Sequence, residues 1–339
     1  MSLLRYIAAL AALASPLLAP AQGPEKKEVN IAVGGKTSFY YLPLTIAEQL
    51  GYFKQEGLTV NIADFAGGSQ ALRAVVGGSA DVVSGAYEHT LNMQPKGQYL
   101  QCFVQQGRAP QIAIGISKAL AKTYKSPKDL KGLKVGVSAP GSSTHMIVNY
   151  FISRDGLKPS DISVVGVGLS ATAITAIKSG QIDAVSNTDP VMTKLEQDGD
   201  VKIIADTRTL KGTEQVLGGP MPAGCLYAPV DFIKKNPNTV QAVVNAMVRA
   251  DKWIAKATPQ EIVDLMPAEY KSGNPSLYKE GLLKNMIGYS EDGQMSMKAA
   301  ENVYKVLKQF EPSVMAAGKM DLSQTFDNAF VKKANAKYK

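Results

Sequence analysis

The chain has 339 residues, 45% of them hydrophobic and 19% charged, a composition that supports a sizeable core and excludes disordered and fibrous classes. Its formal charge of +8 suits nucleic acid, an anionic membrane surface or an acidic ligand. No Lys/Arg-dense run with interleaved aromatics is present, and Lys332, Lys333, Lys337 and Lys339 read as a solvated helix end, so nucleic acid is not an expected partner.

Arg5 precedes an apolar run, Tyr6 to Leu18, that is too short to span a bilayer comfortably. Ala19-Pro20-Ala21 follows as a small-x-small cleavage pattern, so residues 1–21 read as a secretory signal and Gln22 as the first mature residue. Pro16 and Pro20 argue against a membrane anchor, and no later stretch offers about 18 apolar residues in a row. A periplasmic location is expected. The two cysteines, Cys102 and Cys225, leave both a disulfide and two buried thiols open.

From residue 29 onward apolar runs and helical patterns alternate, which predicts parallel-type sheets covered by helices. Strands are expected at Val29–Val33, Leu58–Ala63, Asp81–Ser84, Tyr99–Gln105 and Gln111–Ser117, with helices at Pro43–Leu50 and Gln70–Val76. Lys118 to Lys131 reads as a polar connector. A second run predicts strands at Lys134–Ser138, Ile162–Val167, Ala184–Ser186 and Val201–Ala205, with helices at Thr144–Arg154, Ala171–Ser179 and Val191–Asp198. Gly218-Gly219-Pro220-Met221-Pro222 is a crossing segment. Gly224–Val230 reads as a strand, and the rest as helices, Trp253 on one of them. Gly77-Gly78-Ser79-Ala80-Asp81-Val82 and Ser179-Gly180-Gln181-Ile182-Asp183-Ala184 repeat one pattern, helix end, Gly, spacer, Asp, buried strand. The expected architecture is therefore two similar α/β lobes meeting at a cleft: 22–118 and 119–222, with 223–339 completing the first lobe and adding C-terminal helices.

Ligands in open α/β sheets bind beyond the carboxyl ends of strands, where helices begin. Candidate contacts gather at such corners: Ser38, Tyr40 and Tyr41, then Ser69, then Tyr87 and His89, then Ser142, Ser143, Thr144 and His145, and last Asp189 before Pro190. Hydroxyls and free helix-start amides suit a small polar or anionic ligand. Gly35-Lys36-Thr37 is not a phosphate loop, because the required earlier glycine is Asn30. Ser143, His145 and Asp189 supply hydrolase residue types, yet no Gly-x-Ser-x-Gly elbow accompanies them. His89 and His145 lack metal-ligand spacing, so no metal or cofactor is expected.

The segment Glu48-Gln49-Leu50-Gly51-Tyr52-Phe53-Lys54-Gln55-Glu56-Gly57-Leu58 resembles the Gly-Tyr-Phe, Glu-Gly-Leu signature of the nitrate/sulfonate/taurine-type substrate-binding proteins of ABC importers. The resemblance continues through Gly67-Gly68-Ser69, Tyr87-Glu88-His89-Thr90, Pro140-Gly141-Ser142-Ser143-Thr144-His145 and Asp189-Pro190. It implies a two-lobed periplasmic-binding-protein fold, hinge closure on a small anionic or zwitterionic ligand, a membrane permease and ATPase as partners, a monomer, and no catalysis. It also implies that the strand carrying Cys225 returns beside the one carrying Cys102, which favours a disulfide. The same superfamily holds a fungal pyrimidine synthase that uses an active-site His and a Cys-rich motif, which two separated cysteines do not provide.

Overall fold

The computed structural model describes residues 23–271 and 274–339; the signal expected at 1–21 lies outside them. Ten strands form two five-stranded sheets. The first has the order β2-β1-β3-β10-β4, from β1 (Glu28–Val33), β2 (Thr59–Asp64), β3 (Val82–Ala86), β4 (Leu100–Gln105) and β10 (Gly224–Pro229). The second has the order β7-β6-β8-β5-β9, from β5 (Ile112–Ser117), β6 (Lys134–Val137), β7 (Ser163–Gly166), β8 (Ala184–Thr188) and β9 (Val201–Asp206).

The sheets share one plan. β1 pairs in parallel with β2 and β3, and β6 with β7 and β8. Each sheet holds a single reversed strand, β10 between β3 and β4 and β5 between β8 and β9. The sequence repeat explains part of this likeness. The Asp81 carboxylate accepts from the Asn30 N–H at 2.9 Å, and Asp183 does the same for Lys134 at 2.9 Å. Each aspartate thus pins the strand it opens to the first strand of its sheet. The glycines before them, Gly78 and Gly180, take φ of 78° and 72°, a left-handed turn that a side chain would strain.

The reversed strands correct the expected boundary. β5 belongs to the second sheet, so the chain first crosses at 106–111, before β5, and not at the Lys-rich connector near 118. It returns through 218–223 into β10. The C-terminal helices then touch both lobes: Asn285, ending the helix Pro275–Asn285, donates to the Asp189 carboxylate at 2.7 Å. Asn302 of the helix Met297–Leu307 donates to the Leu217 carbonyl. One apolar cluster runs from Val83 and Tyr87 through Ile114, Val135 and Ile147 to Ala300 and Val303. The cysteines lie on neighbouring strands, as expected, but both are buried free thiols. Burial, with Cys102 beside it, pushes the Cys225 thiol up.

One core residue has no obvious reason to be there. Asp251, on the helix Pro237–Lys256, is wholly buried and neither oxygen has a hydrogen-bond partner. Burial, and secondarily the Asp292 charge, pushes its carboxyl well above the ordinary aspartate range. The fold therefore holds it neutral, whereas the unfolded chain ionises it near pH 3.9. Its contribution is fully present below that pH and is lost as pH rises through the folded value. Asp251→Asn should raise stability near neutrality, because an amide is neutral without binding a proton. The gain is about 1.4 kcal/mol for each pH unit above the unfolded pKa over which the folded carboxyl stays protonated. Urea midpoints of the two proteins should converge at about pH 4 and separate towards about pH 8; parallel curves would refute the assignment.

Candidate functional site

The carboxyl ends of β1, β3, β6 and β8 face one another between the lobes, and the segments that leave them build a cleft. Its floor is a narrow cavity of about 20 Å³, lined by Tyr40, Tyr41, Gly68 and Ala86 from the first lobe. Ile112, Ser138, Ser142, Ser143, Thr144, Leu169 and Thr188 come from the second. None of these side chains is charged, so the excess positive charge of the chain lies elsewhere.

Both walls depend on tight backbone geometry. A Cβ on Gly34 would lie 2.2 Å from the Gly68 nitrogen, so glycine after β1 lets the helix Gly68–Val76 start directly above the strand end. In the second lobe, the Thr144 hydroxyl oxygen accepts from Ser138 N–H at 3.0 Å and pairs with the Ser138 hydroxyl at 2.8 Å. That brace aims the start of the helix Ser143–Ser153 into the cleft. The first N–H groups of a helix lack intrahelical acceptors, and those of Ser143 and Thr144 open towards the cavity wall.

The predicted site residues divide into three groups. Tyr40, Tyr41, Ser142, Ser143 and Thr144 line the cavity as expected. Ser38, Ser69 and His89 instead fasten the lobes to each other. Ser69 donates its hydroxyl to the Pro140 carbonyl at 2.9 Å and its N–H to the Ser142 oxygen at 3.0 Å. Ser38 pairs with the Thr188 hydroxyl at 2.7 Å. His89 sits between the Tyr227 hydroxyl at 2.7 Å and the Gly141 carbonyl at 3.4 Å. These partners suit a neutral ring that accepts from the tyrosine and donates to the carbonyl, and burial pushes its pKa down to about 4.

The remaining three are corrected by the structure. Tyr87 turns into the core, its hydroxyl 2.5 Å from that of Thr325. His145 points away from the cavity and accepts from the Gly141 N–H at 3.0 Å, bracing the loop before its helix. Asp189 is fully buried and committed: it accepts from Thr193 N–H and Asn285, each at 2.7 Å, and lies 3.5 Å from the Arg208 guanidinium. These partners, and full burial, make it a structural tie between its helix, Asn285 and Arg208. Ser143, His145 and Asp189 make no mutual hydrogen bond, so they form no hydrolytic relay. Among the described residues, no cluster of three or more His, Cys, Asp or Glu could hold a metal ion.

Sequence reasoning missed Ser138, Leu169, Thr188 and Glu88. Ser138 and Thr188 sit at the strand ends themselves, four residues before Ser142 and one before Asp189. Glu88, which opens the helix after β3, reads in sequence as an ordinary acidic helix start. In the structure it is 2% exposed, with Oε1 unpartnered, and burial pushes its carboxyl up to about 7.

A family model described as "NMT1/THI5 like" matches residues 38–262, a span that contains every residue lining the cavity. The chain belongs to the NMT1/THI5-like family. A solved structure from Bordetella bronchiseptica RB50 is 57% identical, covers 94% of this chain and 99% of its own, and superposes with a TM-score of 0.91. The alkanesulfonate-binding protein SsuA from Xanthomonas axonopodis pv. citri, bound to MOPS, is 20% identical over 90% of this chain and 99% of its own, with a TM-score of 0.70. A third relative is the 4-amino-5-hydroxymethyl-2-methylpyrimidine phosphate synthase of Schizosaccharomyces pombe. It is 24% identical over 264 residues, 75% of this chain and 72% of its own. The relatives that this chain resembles thus include both a binding protein and a synthase.

Proposed function

We propose that this protein is the solute-binding subunit of an ABC importer, working in the periplasm as a monomer and delivering a small organic ligand to a membrane permease and its ATPase. The observation that carries the reading is the cleft: helix starts and hydroxyls from both lobes converge on one buried cavity. The lobes meet there through few, directed hydrogen bonds that an opening motion can break and remake. The free N–H groups of Ser143 and Thr144 favour an anionic end on the ligand. Closure excludes water and strengthens each of these contacts.

The synthase reading has a relative in its favour, but its Cys-rich motif has no counterpart in a chain with two cysteines. In addition, Ser143, His145 and Asp189 are not arranged for acid-base work. The test is a thermal-shift screen of sulfonates, aromatic carboxylates, nitrate and pyrimidines, followed by product analysis of any hit. A ligand that binds only the folded state raises the melting temperature, by about 2.7 kcal/mol of added stability at one hundred times Kd. Saturable shifts with the compound recovered intact are expected; turnover of the hit would replace this reading with the enzymatic one.

A further inference from the structure

Two buried polar groups at the junction of the lobes have incomplete bonding: Tyr40 in the cavity lining, and Glu88 just behind that lining, two residues after the lining Ala86. Tyr40 lines the cavity, is 4% exposed, and its hydroxyl has no partner. Glu88 is 2% exposed and its Oε1 has none. The Ser143 hydroxyl of the opposite lobe lies close enough to lower the pKa of each against the upward push of burial, yet it completes a hydrogen bond to neither the Tyr40 hydroxyl nor Glu88 Oε1. Buried polar atoms are almost always paired, and an unmatched one costs about 1–3 kcal/mol. A donor and an acceptor left open side by side, where a ligand is to be clamped, are groups awaiting that ligand. No charged residue lines the cavity; the Glu88 carboxyl lies behind that lining, beside Tyr40 and Ser143.

We infer that Glu88 is a ligand-binding residue and that the ligand presents to it a cationic nitrogen donor, an amine or amidine, while Tyr40 and the helix start at Ser143 take the ligand's acceptor groups. This rests on the capture reading above. It adds the chemical class that the cleft selects: an ionised carboxylate in a dry site holds a cationic N–H group strongly and leaves an isosteric hydroxyl weakly bound. The position also has a pH signature. The titratable groups facing Glu88 are Tyr40 and Tyr41, Cys225 and Tyr227 of β10, and its neighbour His89. Burial pushes the phenols and the thiol up and the imidazole down to about 4, so all five are uncharged near neutrality. Glu88, pushed up to about 7, is therefore the group that titrates. Affinity for a cationic donor should rise as pH rises through that value, by roughly tenfold between pH 6 and pH 8, as about a tenth of the carboxyl is ionised one unit below its pKa.

The experiment uses matched probes on the purified full chain: 4-aminobutyrate against 4-hydroxybutyrate, and benzylamine against benzyl alcohol. Melting temperatures and calorimetric affinities are measured at about pH 6 and about pH 8 for the wild type, Glu88→Gln and Tyr40→Phe. The expected result is binding of an amine but not its alcohol. That binding is tighter at the higher pH in the wild type, and is weakened at least tenfold and made pH-independent by Glu88→Gln. The wild-type pH profile alone tests the inference should the variant fold poorly. Equal binding of amine and alcohol, or an amine affinity untouched by Glu88→Gln, overturns it. So does a lack of any shift with all four probes. If the broader screen still yields a ligand, only this inference falls; if that screen is also blank, the capture reading falls with it.

Discussion

Gly67→Val is expected to hold the cleft open and to weaken ligand capture by at least about fivefold while leaving the fold of each lobe intact. Gly67 has φ −171°, extended backbone that any residue adopts, so its own lobe tolerates a side chain. The obstacle lies across the cleft. A Cβ there would stand 2.8 Å from the Ala139 Cβ and 3.1 Å from the Ser142 oxygen of the second lobe. Relieving that overlap needs the lobes to part, which breaks the Ser69 bonds to Pro140 and Ser142. A penalty of about 1–3 kcal/mol on the closed state is roughly a fivefold to 150-fold loss of affinity for a ligand that binds only that state. Small-angle scattering should show a larger radius of gyration with unchanged circular dichroism. An unchanged radius together with unchanged calorimetric affinity would mean that closure does not bring Gly67 against Ala139.

Arg208→Met should be the most destabilising of the polar substitutions, by about 3–5 kcal/mol. The guanidinium is 4% exposed and reaches Asp206 at 2.6 Å, Glu196 at 2.7 Å and Asp189 at 3.5 Å. Of these, Asp189 is wholly buried and would be left as an uncompensated charge. The loss should be non-additive: Asp189→Asn in the same chain removes the stranded charge, so the double variant should be more stable than the sum of the singles predicts. Urea unfolding of the four proteins measures this. Strict additivity would show that Asp189 gains nothing from Arg208.

Much of the fold was legible because its elements are locally encoded. Each buried strand is a short apolar run stopped by glycine or a polar corner, and the Gly-spacer-Asp repeat marks the same junction in both lobes. What local sequence could not encode is sheet membership. Ile112–Ser117 reads identically in either lobe, and only its nonlocal partners β8 and β9 assign it to the second. The site divides in the same way. Its corners were legible, because helix starts after strands have a sequence signature. Which way each side chain spends its hydrogen bonds was not. Ser69 meets a serine 73 residues away, and Asp189 meets an arginine that follows β9. Tyr87 and Glu88 are neighbours that turn oppositely, one into the core and one to the cleft wall.

The C-terminal helices that brace both lobes also decide how the molecule comes apart. Asn285 and Asn302 reach from them to the second lobe, and one apolar cluster passes without a break from Val83 to Ile147 and Val303, so each lobe shares part of its core with the other beside the cluster that is mainly its own. Melting one half would strip solvent-averse surface from the other. On the capture reading proposed above, the two halves would move as separate bodies when a ligand arrives, yet lose their structure as a single cooperative unit.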